Sequence, residues 1–334
     1  MLSIGDLARS LTMRTYQAQA KSNVQRYSQE VTTGLTGDAA RALDGNIAPI
    51  AQIQSELTLL DAFRRSATEA SLSADAMQTV LTDIQTVTAS LGADFLKVDL
   101  ASSADVRAAL SASAGHAFST VVDRLNAGQA GLTLFAGTAT DSAALADDTT
   151  IMNALRAAVS GAVTATDVTT QIDAWFDTPG GGFETSGYMG ATAGRQPYLL
   201  NDAETVSLDL RADHAVFRDL LRYTAMAALA TDPGLGFGSA MQTSLMQTAA
   251  NGLLTAQTNL TGLQADIGAA QQRIGDASQR NDARHAALTM SLSDILSVDP
   301  YDAATRLEQS QTQLETIYAV TARQTRLRLV DFLR

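Results

Sequence analysis

The chain has 334 residues, no cysteine, five prolines and a single tryptophan. This excludes disulfides, thiolate metal sites and cysteine nucleophiles, and leaves room for helices of unusual length. A net charge of −12 argues against nucleic-acid binding, which needs a basic face to replace counterions at phosphates.

Residues 1–35 read as an amphipathic helix of loose regularity through Met13, Tyr16, Ala20, Val24, Tyr27 and Val31. Asp44-Gly45-Asn46 reads as a turn, because the ligand ladder and terminal glutamate of a calcium loop are missing. From Ile50 to Val98 apolar residues recur at alternating steps of three and four, and Thr88 is the one polar position in the stripe. Two successive steps of three at Leu57-Leu60-Phe63 form a stammer. At 1.5 Å per residue this segment makes a helix of roughly 70 Å, which needs an equally long partner.

A third amphipathic segment through Val106, Leu110, Ala117, Val121 and Leu125 follows the break at Ser102-Ser103, either of which can cap it. Ala136-Gly137-Thr138 reads as its end. Residues 140–215 hold the irregular signals: short helices over 153–162 and 167–176, and a loop at Pro179-Gly180-Gly181-Gly182. Strand candidates follow at Leu199-Leu200 and over 205–210. A helix over 215–230 is stopped by Asp232-Pro233-Gly234. Leu253, Ala256, Leu260, Leu263, Ile267, Ala270, Ile274 and Ala277 then repeat the three–four spacing. It weakens at Asn281 and Arg284 and returns at Leu288 and Ile295. Residues 300–334 close the chain with a second loose helix through Leu307, Leu314 and Ile317.

The expected fold is mainly α: a long antiparallel coiled-coil or helical-bundle rod built from both chain ends, with a small α+β insertion in the middle. The expected division is a terminal helical assembly domain (1–35 and 300–334), a helical rod domain (36–138 and 216–299) and an outer insertion domain (139–215). The insertion reads as removable without loss of the rod. Neither terminal helix is stable alone in water, so the two should pair or order in an assembly. Their charge differs from that of the body: Arg9, Arg14, Lys21 and Arg26 outnumber Asp6 and Glu30. Near the other end, Arg306, Arg323, Arg326, Arg328 and Arg334 outnumber Asp302, Glu308, Glu315 and Asp331.

No constellation supports an enzyme, a cofactor or a metal. Gly180-Gly181-Gly182 lacks the Gly-Lys-Ser/Thr of a phosphate loop. Asp147-Asp148 reads as a capping or solvent-facing pair, Glu184 and Asp209 are unmarked as an acid/base pair, and His285 reads as a seam histidine. No apolar run is long enough to span a membrane. The opening residues Met1–Leu7, with an acid at Asp6, do not read as a secretory signal, so a cytoplasmic protein is the default expectation.

The ends carry a resemblance. Tyr301-Asp302-Ala303-Ala304-Thr305-Arg306-Leu307, Gln311-Thr312-Gln313-Leu314-Glu315, Tyr318 and the closing Leu327-Arg328-Leu329-Val330-Asp331-Phe332-Leu333 resemble the terminal helix of the flagellin superfamily. Tyr27, Val31 and Thr32-Thr33-Gly34-Leu35 are similar to the segment where that family's N-terminal helix gives way to the rod. Leu134-Phe135-Ala136-Gly137-Thr138 resembles the corresponding site in the hook–filament junction proteins. Arg328 stands where the closing motif usually has serine. The resemblance implies a structural subunit of the bacterial flagellum, extracellular, exported by the flagellar type III apparatus without a cleaved signal peptide. It implies self-assembly in a ring or helix, hook-associated protein 1 on the hook side, flagellin on the filament side and an export chaperone. It implies no nucleic acid and no membrane insertion. The implied assembly interface is Leu7, Leu11, Tyr16, Val24, Tyr27, Leu307, Leu314, Ile317, Tyr318, Leu327, Leu329, Phe332 and Leu333. Flagellin itself, or a cytoplasmic coiled-coil scaffold, are the alternatives.

Overall fold

The computed structural model describes the backbone of residues 4–332 and the side chains of residues 8, 11–41 and 43–323. The chain is mainly α and forms two compact units, residues 1–61 with 282–334, and residues 62–281. The elements in order are α1 (Ile4–Thr33), α2 (Ala39–Ala42), α3 (Ala48–Leu96), α4 (Ala104–Leu125), β1 (Gly128–Gln129) and β2 (Leu132–Thr133). There follow α5 (Asp148–Ala158), α6 (Ala165–Asp177), a π-helical turn (Phe183–Gly187), β3 (Tyr198–Leu199) and β4 (Thr205–Val206). The chain closes with α7 (Ala215–Leu229), α8 (Ser239–Leu296) and α9 (Pro300–Phe332).

In the larger unit, α3 and α8 pack antiparallel through the stripes that the spacing marks. Ala67, Ala70, Ala74, Met77, Leu81, Ile84, Leu91 and Phe95 of α3 share one apolar core with Leu253, Ala256, Leu260, Ile267, Ile274 and Ala277 of α8. Polar side chains at the edges fix the register. Gln247 donates to the Val98 carbonyl at 3.0 Å, Gln257 to Thr88 Oγ1 at 3.3 Å, Gln264 to Gln85 Oε1 at 3.1 Å and Gln271 to Asp75 Oδ1 at 2.6 Å. Alternating alanine with larger residues lets the two helices approach closely.

Helix α4 starts where Ser103 Oγ accepts the Val106 N–H at 3.3 Å, and Arg124 near its end pairs with Asp83 of α3 at 3.1 Å. It ends at Leu125, earlier than the sequence reading placed it. Leu134–Thr138 is instead a bent segment, buried from Leu134 to Gly137, that stitches distant chain together. The Phe135 carbonyl accepts the Ala212 N–H at 2.9 Å, the Ala136 carbonyl accepts the Ala191 N–H at 2.9 Å, and the Thr138 N–H donates to Ala193 at 3.1 Å. Gly137 has φ +63°, and a Cβ there would lie 2.6 Å from the Ala193 carbonyl oxygen. Only glycine fits.

Helices α5 and α6 begin on side-chain caps. Asp147 caps α5, and Thr164 with Asp167 forms a reciprocal capping box on α6. Both helices begin earlier than the spacing predicts. The expected strand over 205–210 is hydrogen-bonded only at Thr205–Val206, paired antiparallel with Tyr198–Leu199. Its alternation nevertheless persists as burial, since Val206, Leu208 and Leu210 are buried while Thr205, Ser207 and Asp209 are exposed. The glycine run is more than a loop. Gly182 lies against Trp175, where a Cβ would meet the indole at 1.9 Å, and it leads into the π turn whose Phe183 contacts Trp175, Phe176 and Tyr188.

Helix α7 is buried on most sides, and its Phe217, Leu220 and Leu221 lie in the same core as Ile172, Trp175 and Phe176 of α6. Arg222 bridges the two helices, pairing with Asp177, Asp173 and Asp219. Residues 140–215 therefore share their core with α7, and deleting them would uncover its α6-facing side while α4 still packs on it.

Candidate assembly interface

The smaller unit brings the two chain ends together. Leu35 and Ser297 form an antiparallel bridge, in which the Thr36 N–H donates to Leu296 at 2.8 Å and the Val298 N–H to Gly34 at 2.9 Å. Helix α1 runs into this bridge and α9 leaves it, and the two pack on each other as an antiparallel pair. Gly34, at φ +72°, makes the exit from α1.

Glu30 sits behind the bridge and is only 4% exposed. Its carboxylate accepts the Gly37 N–H at 3.1 Å and the Thr36 hydroxyl at 3.5 Å. A buried carboxylate needs such donors and a nearby cation. Arg26, one turn earlier, lies 3.5 Å from Asp38 and donates to Asn23 at 3.3 Å and to the Tyr27 hydroxyl at 2.9 Å. Its guanidinium also lies 4.7 Å from the centre of the Tyr27 ring. Tyr27 is thus engaged within its own chain as part of this turn. Glu30 was missed from the sequence, although an acid one helical turn before a Thr-Thr-Gly-Leu exit is the signal that marks it.

The α1–α9 contact is built on small residues, with Ala20, Ala303 and Ser310 buried. Of the residues expected to form the interface, Val24, Tyr27, Leu307, Leu314 and Ile317 are half-buried. Leu11 (66%), Tyr16 (59%) and Tyr318 (47%) are exposed, as is Val320, which the sequence reading did not single out. The side chains of Leu7, Leu327, Leu329 and Phe332, and all of Leu333, lie outside the described residues. Where the apolar spacing weakens on α8, polar pairs replace it: Arg284 pairs with Glu56, and His285 Nε2 lies 3.5 Å from Asp61 Oδ1.

The polar candidates have structural partners. Asp147 accepts the Thr149 hydroxyl at 2.6 Å and both the N–H and hydroxyl of Thr150 at 2.8 Å. These bonds hold its carboxyl down at about 2. Glu184 accepts the Gly180 N–H at 2.8 Å while Asp209 faces Arg211 at 3.6 Å, so each has its own partner. Among the described residues no cluster of three acidic or histidine side chains is arranged to hold a metal ion, and no helix is long and apolar enough to cross a membrane.

Residues 251–333 match the family model of the bacterial flagellin C-terminal helical region. The C-terminal segment is flagellin-like. The matched stretch begins in α8, just before the start of its regular apolar repeat, and runs through α9, so it includes the bridge at Ser297 and all the C-terminal residues of the expected interface. No curated protein matches the chain. Among solved structures, one assigned as a flagellar hook-associated protein from Vibrio parahaemolyticus is similar at 13% identity and a TM-score of 0.41. The match covers 77% of this chain and 95% of that one. A likeness of that degree does not bear on function.

Proposed function

We propose that this protein is a non-enzymatic structural subunit of the bacterial flagellum that assembles through its terminal helices. The observation that carries this reading is the flagellin-type region over 251–333, whose last helix lies antiparallel to α1 and carries exposed apolar side chains. Large apolar side chains left in water on a paired helix mark an association surface. Lateral contact with the same helices of neighbouring copies would cover Leu11, Tyr16, Tyr318 and Val320 and give a ring or helix of subunits.

The finer reading is an adaptor at the hook–filament junction, with hook-associated protein 1 on one side, flagellin on the other, and a chaperone during export. In it, residues 1–35 and 300–334 are the assembly domain, 36–138 and 216–299 the rod and 139–215 the outer insertion, and the protein is an extracellular part of the flagellum. Flagellin itself is the second reading, favoured because the matching model is that of flagellin.

Gene deletion tests the proposal. The adaptor reading predicts intact hooks without filaments and flagellin free in the medium. Loss of the filament with no other flagellin present supports the second reading. A fully motile strain with normal filaments contradicts both.

A further inference from the structure

The segment 198–214 runs along α8 in the opposite direction. Asn281 donates its side-chain amide to the Leu200 carbonyl at 2.9 Å, Arg280 pairs with Glu204 at 2.6 Å, and Arg273 donates to the Thr205 carbonyl at 2.9 Å. Further along, Ser207, Leu210 and His214 face Leu263, Ile267 and Ala270 across a cavity of about 210 Å³. On the α3 side, the Tyr198 hydroxyl meets Ser73 Oγ at 3.1 Å. Leu200, Val206, Leu208, Leu210 and Ala212 are buried in the same core as Ala67, Ala70, Ala74, Ile274 and Ala277.

This placement begins where α4 stops. Arg124, one residue before the end of α4, pairs with Asp83, and before that point α3 presents Ala67, Ala70 and Ala74 to Ile267, Ile274 and Ala277 of α8. The α3 alanines are too short to fill the space beyond the end of α4, and the extended segment supplies the third apolar layer there with Leu200, Val206, Leu208 and Leu210. Its own ladder is two residues per strand, too short to be stable without the helices. Its buried apolar side chains anchor it and long polar ones tie its edge beside an open pocket, but its backbone makes few ladder hydrogen bonds, the mark of a segment whose amides open locally.

We propose that residues 198–212 are a strap that stands in for a third helix over this part of the seam. It opens as a unit and bares the apolar face that α3 and α8 present beneath it while α4 and α7 stay folded. Asn281, where the apolar repeat of α8 falters, is its buckle.

Hydrogen exchange of the full-length chain, read by mass spectrometry, tests this with two variants. Asn281→Ala should speed exchange about tenfold or more in amides 198–206 and in the facing stretch 270–281, with α4 and α7 unchanged. Ser73→Ala, which removes only the tie to Tyr198, should speed the same amides by a smaller factor. Uniform acceleration across α4, α7 and the strap, or no acceleration in the strap with either variant, would overturn the proposal.

Discussion

Thr88 is completely buried in the seam between α3 and α8, donates to the Ile84 carbonyl at 2.8 Å and accepts the side-chain amide of Gln257 at 3.3 Å. The one polar residue in the long apolar stripe is therefore paired, and it pins the register of the two helices. Thr88→Val keeps the shape and removes the acceptor. Gln257 is half-buried and can turn to water, so stability should change by no more than about 1 kcal/mol. Chemical denaturation checks this, and a loss several times larger would mean that the seam depends on the pair.

Ile267 is 7% exposed on α8, beside Leu210 of the strap. Ile267→Asp places an unpaired carboxylate there and should cost several kcal/mol, roughly 3–5. A melting temperature within a degree or two of wild type would show that the stripe does not carry the fold.

Gly137→Ala should be as damaging for a different reason. The residue sits at φ +63° with the carbonyl oxygens of Ala193 and Ala191 at 2.6 and 2.7 Å from any added Cβ. Backbone strain and the clash together should cost about 3 kcal/mol. Ala136→Gly, one position earlier, tests whether flexibility alone is harmful. A Gly137→Ala variant no less stable than Ala136→Gly would contradict the close approach.

His214 caps α7 by accepting the Val216 N–H at 3.3 Å. Partial burial pushes its imidazole below its ordinary value, the carboxylate of Asp213 opposes this, and Arg218 and Arg211 add to it. The unfolded chain then takes up the proton first as pH falls. Stability contributed by the neutral ring is complete above about pH 7 and is lost as pH drops through 6.5 toward the lower folded value. His214→Asn keeps a capping side chain and should flatten the slope of unfolding midpoint against pH between about 7 and 5. An unchanged slope would remove His214 from the account.

The long helices were legible because their repeat spans many turns and no proline interrupts it. The cap at Ser103 was legible because capping needs only local chain, whereas Asp147 read as a capping or solvent-facing acid and its helix as starting only at residue 153. What escaped depends on distant partners. Leu134–Thr138 reads as a helix end by its glycine, yet its shape is set by Ala191, Ala193 and Ala212. The run 205–210 alternates like a strand, but most of its partners are helix side chains rather than another strand, so little ladder forms. Asn281 reads as a flaw in a repeat and proves to be a contact with Leu200. At the ends, the apolar faces were readable, whereas Glu30 finds its partners, the Thr36 hydroxyl and the Gly37 N–H, once Gly34 has turned the chain.

Removal of residues 314–334 takes away much of α9 and leaves residues 62–281 intact, and so separates assembly from folding of the larger unit. The truncated protein should melt like the full chain as followed by a probe in the larger unit, such as the fluorescence of Trp175, the only tryptophan. With secretion verified separately, it should be absent from sheared, purified flagella. Incorporation at the level of the full chain, with normal filaments on normal hooks, would contradict assembly through the terminal helices.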